Sequence, residues 1–292
     1  MRKPDDAPEN AMIDTHQHLI CRDLFRYDWT EAFPVLHGEF SLGDYRAASA
    51  GCGITETVFM EVDVAFEHAA AEAAHFCSLA DDPASGITGV VAACRPEEPG
   101  IDSWIESLFH PRLVGFRRIL HTQPDELCIS RQFRDNVACI GAAGLTFDLC
   151  MLPRQLANGT VLVDACPDTM FILDHCGVPD IASGDLGFWR EQLREIARRP
   201  NLCCKISGII AYAAGDITAA TLRPVVEHCI ECFGWERVMW GGDWPVCNLT
   251  GDLASWKSML DEILAGCSDH EREKLDARNA RRTYQLNSLL DS

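Results

Sequence analysis

Apolar and polar positions along this chain alternate in two registers. Short, nearly continuous apolar runs read as strands: "AMIDTHQH", "ETVFMEV", "ITGVVAAC", "LVGFRRI", "LTFDLC", "TMFILDH", "NLCCKIS" and "RVMWGGD". Between them lie longer amphipathic stretches that read as helices: "LGDYRAASAGCG", "EHAAAEAAHFCSLA", "DSWIESLF", "RQFRDNVACIGAAG", "RQLANGTVLVDACP", "FWREQLREIARR" and "TLRPVVEHCIECFG". "LASWKSMLDEILAG" follows the eighth strand. Apolar strands separated by helices imply a parallel sheet covered on its faces. Eight such units predict an α/β chain folded as a (β/α)8 TIM barrel.

No Pro/Gly/Ser-rich linker divides the chain, so residues 11–292 are expected to form one domain, with a terminal helix in "DHEREKLDARNARRTYQL". Residues 1–10 lack an apolar segment and are expected to be a flexible polar tail, not a signal peptide. The long connection "CRDLFRYDWTEAFPVLHGEF" after the first strand is expected to fold over the barrel mouth, because long loops in compact domains are commonly functional.

A barrel places its chemistry at the C-terminal ends of the strands. Polar residues collect there: His16 and His18 end the first strand, Glu61 the second and Arg117 the fourth. Asp148 ends the fifth, His175 the sixth, Lys205 the seventh and Asp243 the eighth. Unpaired ionisable groups beside apolar runs are costly, so packing alone does not explain this set.

His16 and His18 are two apart on a strand and point to the same side. Together they suit a metal, although two hydrogen-bonded strand-end residues read equally from H-x-H alone. His175, in "FILDHCGVPD", is either a functional group or a satisfied core histidine. By strand alternation Asp174 is expected on the opposite face, anchoring a helix or loop, and Cys176 is turned away from the His175 side. Asp243, in "VMWGGDWPV", follows glycines expected to allow a tight turn, and a helix N-cap is the competing reading. Arg117 and Lys205 either bind substrate oxygens or merely neutralise Glu61 and Asp148. Arg118 faces away from Arg117 and is expected to be structural.

Composition narrows the partners. The chain has 292 residues and a formal charge of −19, which disfavours nucleic acid and anionic membranes. No apolar run approaches a membrane span. The 15 Cys, odd in number and scattered through apolar stretches, read as reduced thiols of a cytoplasmic protein, and the C-x-x-C of Cys229 and Cys232 lies in a helix without a second pair. A homo-oligomer is compatible with all of this.

The combination of H-x-H, a later His and a final Asp resembles the amidohydrolase superfamily. The stretches "MIDTHQHL", "HPRLVGFRRIL", "GLTFDLCMLPRQL", "FILDHCGVPDI", "RRPNLCCKISGI", "ERVMWGGDWPVC" and "NARRTYQL" resemble its branch of sugar-lactone hydrolases, typified by L-fuconolactonase and L-rhamnonolactonase. The resemblance implies a lactone substrate and an active site at the barrel mouth. His16, His18, His175 and Asp243 match the metal and catalytic positions, with one divalent ion, zinc, as the implied cofactor. Asp243 matches the carboxylate that handles the proton of the attacking water, with His175 and Arg117 beside it in catalysis. Glu61, Arg117, Asp148, Lys205 and Trp244 are expected to face the substrate.

Glu61 and the first long loop depart from the branch pattern, which leaves the sugar open. No lysine stands where binuclear members carry a bridging carbamate, and some members of the branch work without metal. A mononuclear-metal decarboxylase, a lactone isomerase and a non-catalytic binding barrel are the alternatives. Carbon dioxide release, product analysis, and binding without turnover would distinguish them.

Overall fold

The computed structural model describes residues 12–213 and 215–286; the expected tail at 1–10 lies outside the described residues. Eight strands form in the expected order: β1 Met12–Gln17, β2 Ile54–Met60, β3 Ile87–Ala93, β4 Leu113–Ile119, β5 Thr146–Cys150, β6 Phe171–Leu173, β7 Leu202–Ile206 and β8 Val238–Trp240. Every neighbouring pair is parallel, in sequence order. The ring closes through backbone beyond β8: the Asp243 amide donates to His16 O, and the His18 amide to Trp244 O, both at 2.9 Å.

The connecting helices are α1 Leu42–Ala48, α2 Ala69–Ala80, α3 Ile101–Ser107, α4 Arg131–Ala142, α5 Leu156–Ala165, α6 Gly187–Ile196 and α7 Ala219–Phe233, followed by α8 Leu253–Ile263. Half of their starts carry polar side-chain caps. Ser41 and Asp44 form a capping box on α1, Ser130 caps α4, and Asp252 caps α8. The apolar faces pack on the outside of the barrel, where Phe59, Phe76, Phe116, Phe133, Phe147 and Trp256 are all buried.

The barrel interior has its own apolar cluster of Ile13, Val58, Met60, Val91, Ile172, Cys203 and Met239. The terminal helical stretch seals it: α9 Asp269–Glu273 runs through a π-helical turn into α10 Asn279–Tyr284, and Ala277, Ala280 and Tyr284 join the cluster. The long loop after β1 folds back over the barrel: Phe40 pairs with Ile20, Arg26 O accepts from the Ala65 amide, and the Trp29 indole donates to Val62 O.

All 15 Cys are free thiols. Cys229 turns inward toward Cys176 and Cys204, whereas Cys232 contacts His228 on the same helix, so the C-x-x-C is not a paired unit. No described helix is long and apolar enough to cross a membrane.

Candidate active site

The imidazoles of β1 meet the carboxylate beyond β8. His18 Nε2 lies 3.3 Å and His16 Nε2 3.6 Å from Asp243 Oδ1, and His175 Nδ1 lies 4.0 Å from Asp243 Oδ2. All four side chains are buried. His18 Nδ1 sits 2.9 Å from Met60 O, an acceptor only, so it carries the ring proton and leaves the Nε2 lone pair facing Asp243. His175 Nδ1 is 3.0 Å from the Ser207 hydroxyl.

The backbone makes this convergence possible. Gly241 and Gly242 are not needed for a positive φ; what they provide is proximity. A Cβ on Gly241 would lie 2.7 Å from His16 Cβ, and one on Gly242 2.6 Å from Asp14 Oδ2. The left-handed residue is Asp243 itself, at φ 55°. Its side chain caps no helix: the short turn Val246–Leu249 that follows has no side-chain cap. Asp14 pins the junction from outside, accepting from the amides of His16 and Gly242 and from the Tyr45 hydroxyl.

Arg117 enters from β4. Its Nε donates to Glu61 Oε1 and its Nη2 to Glu61 O, both at 2.6 Å, while Nη1 lies 3.2 Å from His16 Nε2. The other Glu61 oxygen accepts from the Asp63 amide at 2.7 Å. Glu61 is therefore occupied in holding Arg117. Arg118 turns outward to Glu97, as strand alternation requires.

Several expectations are corrected. Asp174 does not anchor an outer helix or loop. β6 ends at Leu173, and a left-handed turn through His175 (φ 53°) and Cys176 (φ 57°) brings both Asp174 and His175 into the site. Trp244 does not face the substrate: it is buried outside the barrel against Phe40 and Tyr45, because the turn at Asp243 sends consecutive side chains to opposite sides. Asp148 and Lys205 lie within their strands rather than at the mouth. Lys205 Nζ is 2.5 Å from Asp148 Oδ1, which also accepts from the Tyr284 hydroxyl at 3.0 Å.

Other residues join the site without having been singled out. Gly208, at φ 63°, gives way to His175 and Asp243, whose atoms would lie 2.3 and 2.6 Å from a Cβ there. Cys150 ends β5 with its sulfur 3.1 Å from His121 Nδ1. Counting by twos from Asp148 would have found Cys150, and from Ile172 would have found Asp174.

Burial dominates the electrostatics. It pushes the Asp243 carboxyl up to about 6, with His175 and Arg117 opposing. It holds His16 well below its ordinary value and, helped by the Arg117 charge, lowers His18 to about 4. Near neutral pH these imidazoles are neutral, as metal ligands must be.

His16, His18 and Asp243 offer donor atoms close enough to share one ion. A zinc ion about 2.1 Å from each of its ligands spaces tetrahedral donors roughly 3.4 Å apart, close to the 3.3 and 3.6 Å separations here. Asp243 Oδ2 also has no hydrogen-bond partner. The donor set fits a metal. His175 instead groups with His16 and Asp174, so the four expected ligands do not form one cluster.

The sequence pattern of the amidohydrolase family matches residues 13–286. The chain belongs to the amidohydrolase family. This amidohydrolase is 28% identical to an L-fucono-1,5-lactonase of Burkholderia multivorans, over 96% of this chain and 98% of that protein. It is 22% identical to an L-rhamnono-gamma-lactonase of Scheffersomyces stipitis, over 94% of this chain and 98% of the other. A crystal structure of an amidohydrolase from Burkholderia multivorans with bound zinc superposes with a TM-score of 0.86 at 25% identity, covering 95% of this chain and all of that one.

Proposed function

We propose that this amidohydrolase opens a sugar aldonolactone to its hydroxy acid, with Asp243 as general base. One observation carries the reading: Asp243 is a buried carboxylate with an unpartnered oxygen and a pKa raised to about 6, amid three imidazoles. A base whose pKa lies near the working pH is suited to taking and returning a proton. The lactonase relatives supply the substrate class.

Asp243 takes a proton from the attacking water as its oxygen bonds to the lactone carbonyl carbon. The ring C–O bond then breaks, and Asp243 returns the proton to the departing ring oxygen, which leaves as the hydroxyl of the acid. Arg117, fixed by Glu61, presents positive charge to the carbonyl oxygen as it becomes anionic. His175, oriented by Ser207, hydrogen-bonds the substrate beside Asp243. Bound by His16, His18 and Asp243, a divalent ion, zinc in this reading, would polarise the carbonyl and acidify water.

The test is a pH-indicator screen of aldonolactones and muconolactones, with and without chelator. Acid release from a sugar lactone is expected, lost on chelation and restored by zinc. Absence of turnover across the panel overturns the lactonase reading; full activity in metal-free enzyme overturns the metal alone.

A further inference from the structure

Asp174 is fully buried, and neither of its oxygens has a partner at hydrogen-bond distance. Yet three nitrogens converge on it. His16 Nδ1 and Lys205 Nζ lie 3.4 and 3.3 Å from Oδ1, and Arg117 Nη1 lies 3.6 Å from Oδ2. Each is a few tenths of an ångström beyond an N–H···O bond, the looseness that catalytic contacts show before substrate tightens them.

The contacts of His16 determine where its ring proton lies. Arg117 Nη1 is 3.2 Å from His16 Nε2. A guanidinium has no acceptor and keeps its protons, so Nε2 must offer its lone pair on that side. The single proton of the neutral ring is then on Nδ1, facing Asp174 Oδ1.

Charge points the same way. Glu61 pairs with Arg117, and Asp148 with Lys205. Since Arg117 and Lys205 also approach Asp174, the four carboxylates Glu61, Asp148, Asp174 and Asp243 share two cations, an excess of two negative charges that complements one divalent cation.

We propose that Asp174 is a positioning residue: it holds His16 in the Nδ1–H tautomer, with the Nε2 lone pair turned to the centre of the site, and adds the negative charge that favours a cation there. The active-site reading above is its basis. Asp174 touches no reacting atom and acts through His16 and Arg117.

The experiment compares wild-type enzyme with Asp174→Asn, which preserves shape and removes charge. Zinc affinity is measured by competition with a chromophoric chelator, and the His16 tautomer by ¹⁵N-histidine spectra, assigned with His16→Gln. Zinc binding is expected to weaken on the order of 10–100-fold in Asp174→Asn, and the Nδ1–H resonance of His16 to shift as its acceptor loses its charge. With a lactone substrate, kcat is expected to fall by a similar factor with KM within about twofold, the split expected when an interaction matters chiefly in the transition state. Asp174→Asn with unchanged zinc affinity and unchanged His16 spectra overturns the proposal. So does a wild-type His16 carrying its proton on Nε2, a result that requires no variant to fold. The metal and tautomer readings need no substrate, so failure of the lactonase reading is seen separately.

Discussion

At the scale of single residues, the site rests on a carboxylate that the fold leaves under-satisfied. Asp243 is buried, one oxygen lacks a partner, and its pKa is raised to about 6. Burying an ionised group without full pairing is unfavourable, and active sites tolerate this where chemistry needs it. Asp243→Asn is therefore expected to lower kcat by about 10²–10⁴-fold, the range of a lost general base, while thermal unfolding shows a melting temperature equal to or above that of wild type. A lower melting temperature with activity retained would make Asp243 a structural residue. The sign of the pH dependence follows from the same group. A base works ionised, so kcat should rise as pH climbs through the pKa of Asp243, about 6 before a metal binds, and level off above it. The imidazoles do not reverse this, because burial keeps His18 neutral down to about pH 4. A kcat that falls as pH rises from 5 to 7 would assign the proton-handling role to a group other than Asp243.

At the scale of elements, closing the ring requires β1 and the segment after β8 to approach closely, and Gly241 permits it. A Cβ there would lie 2.7 Å from His16 Cβ and 3.0 Å from Ser207 Cβ. Both neighbours are Cβ atoms fixed by their backbone, so neither can swing aside. Gly241→Ala is expected to cost about 1–3 kcal/mol, as over-packing does, and to lower kcat by displacing His16. Gly266→Ala, where a Cβ meets open space, should stay within about 0.5 kcal/mol of wild type. Urea denaturation of the two side by side checks this, and equal midpoints would refute the close-approach account.

The same junctions show what sequence could and could not reveal. Inward positions inside regular strands were legible from alternation, which placed His16, His18 and Arg117 on one side and Arg118 on the other. Alternation failed where the backbone turns left-handed. Counting back from His175, which already lies in the left-handed turn, misassigned Asp174. Positive φ at His175, Cys176 and Asp243 is set by packing around the turn; Asp and His adopt it more readily than most residues, but too rarely for their presence to mark it. The glycines of "GGDW" were visible, but the reason for them, the approach of His16 and Asp14, exists only once the distant strands meet.

At the scale of the molecule, the barrel order was legible because every strand is covered on both faces and reads as an apolar run. The charge layer beneath the site was less so, since its members come from β5, β7, the turn after β6 and the terminal helix. Lys205 of β7 is fully buried between Asp148 of β5 and Asp174 beyond β6, and Tyr284 of α10 closes the layer from below. This layer ties the apolar floor of the barrel to the active site, so its disruption should be felt globally. Replacing Lys205 by Met keeps the volume but leaves two carboxylates without their cation. Breaking a buried pair from one side costs about 3–5 kcal/mol, a large part of the roughly 5–15 kcal/mol that holds a typical domain together. Asp148→Asn in the Lys205→Met background removes one of the stranded charges while its amide oxygen can still accept from Tyr284. Recovery of at least a third of the lost stability in the double variant, read from denaturant midpoints, is the expected result. Additive losses would mean that Asp148 and Lys205 are not coupled through their charges.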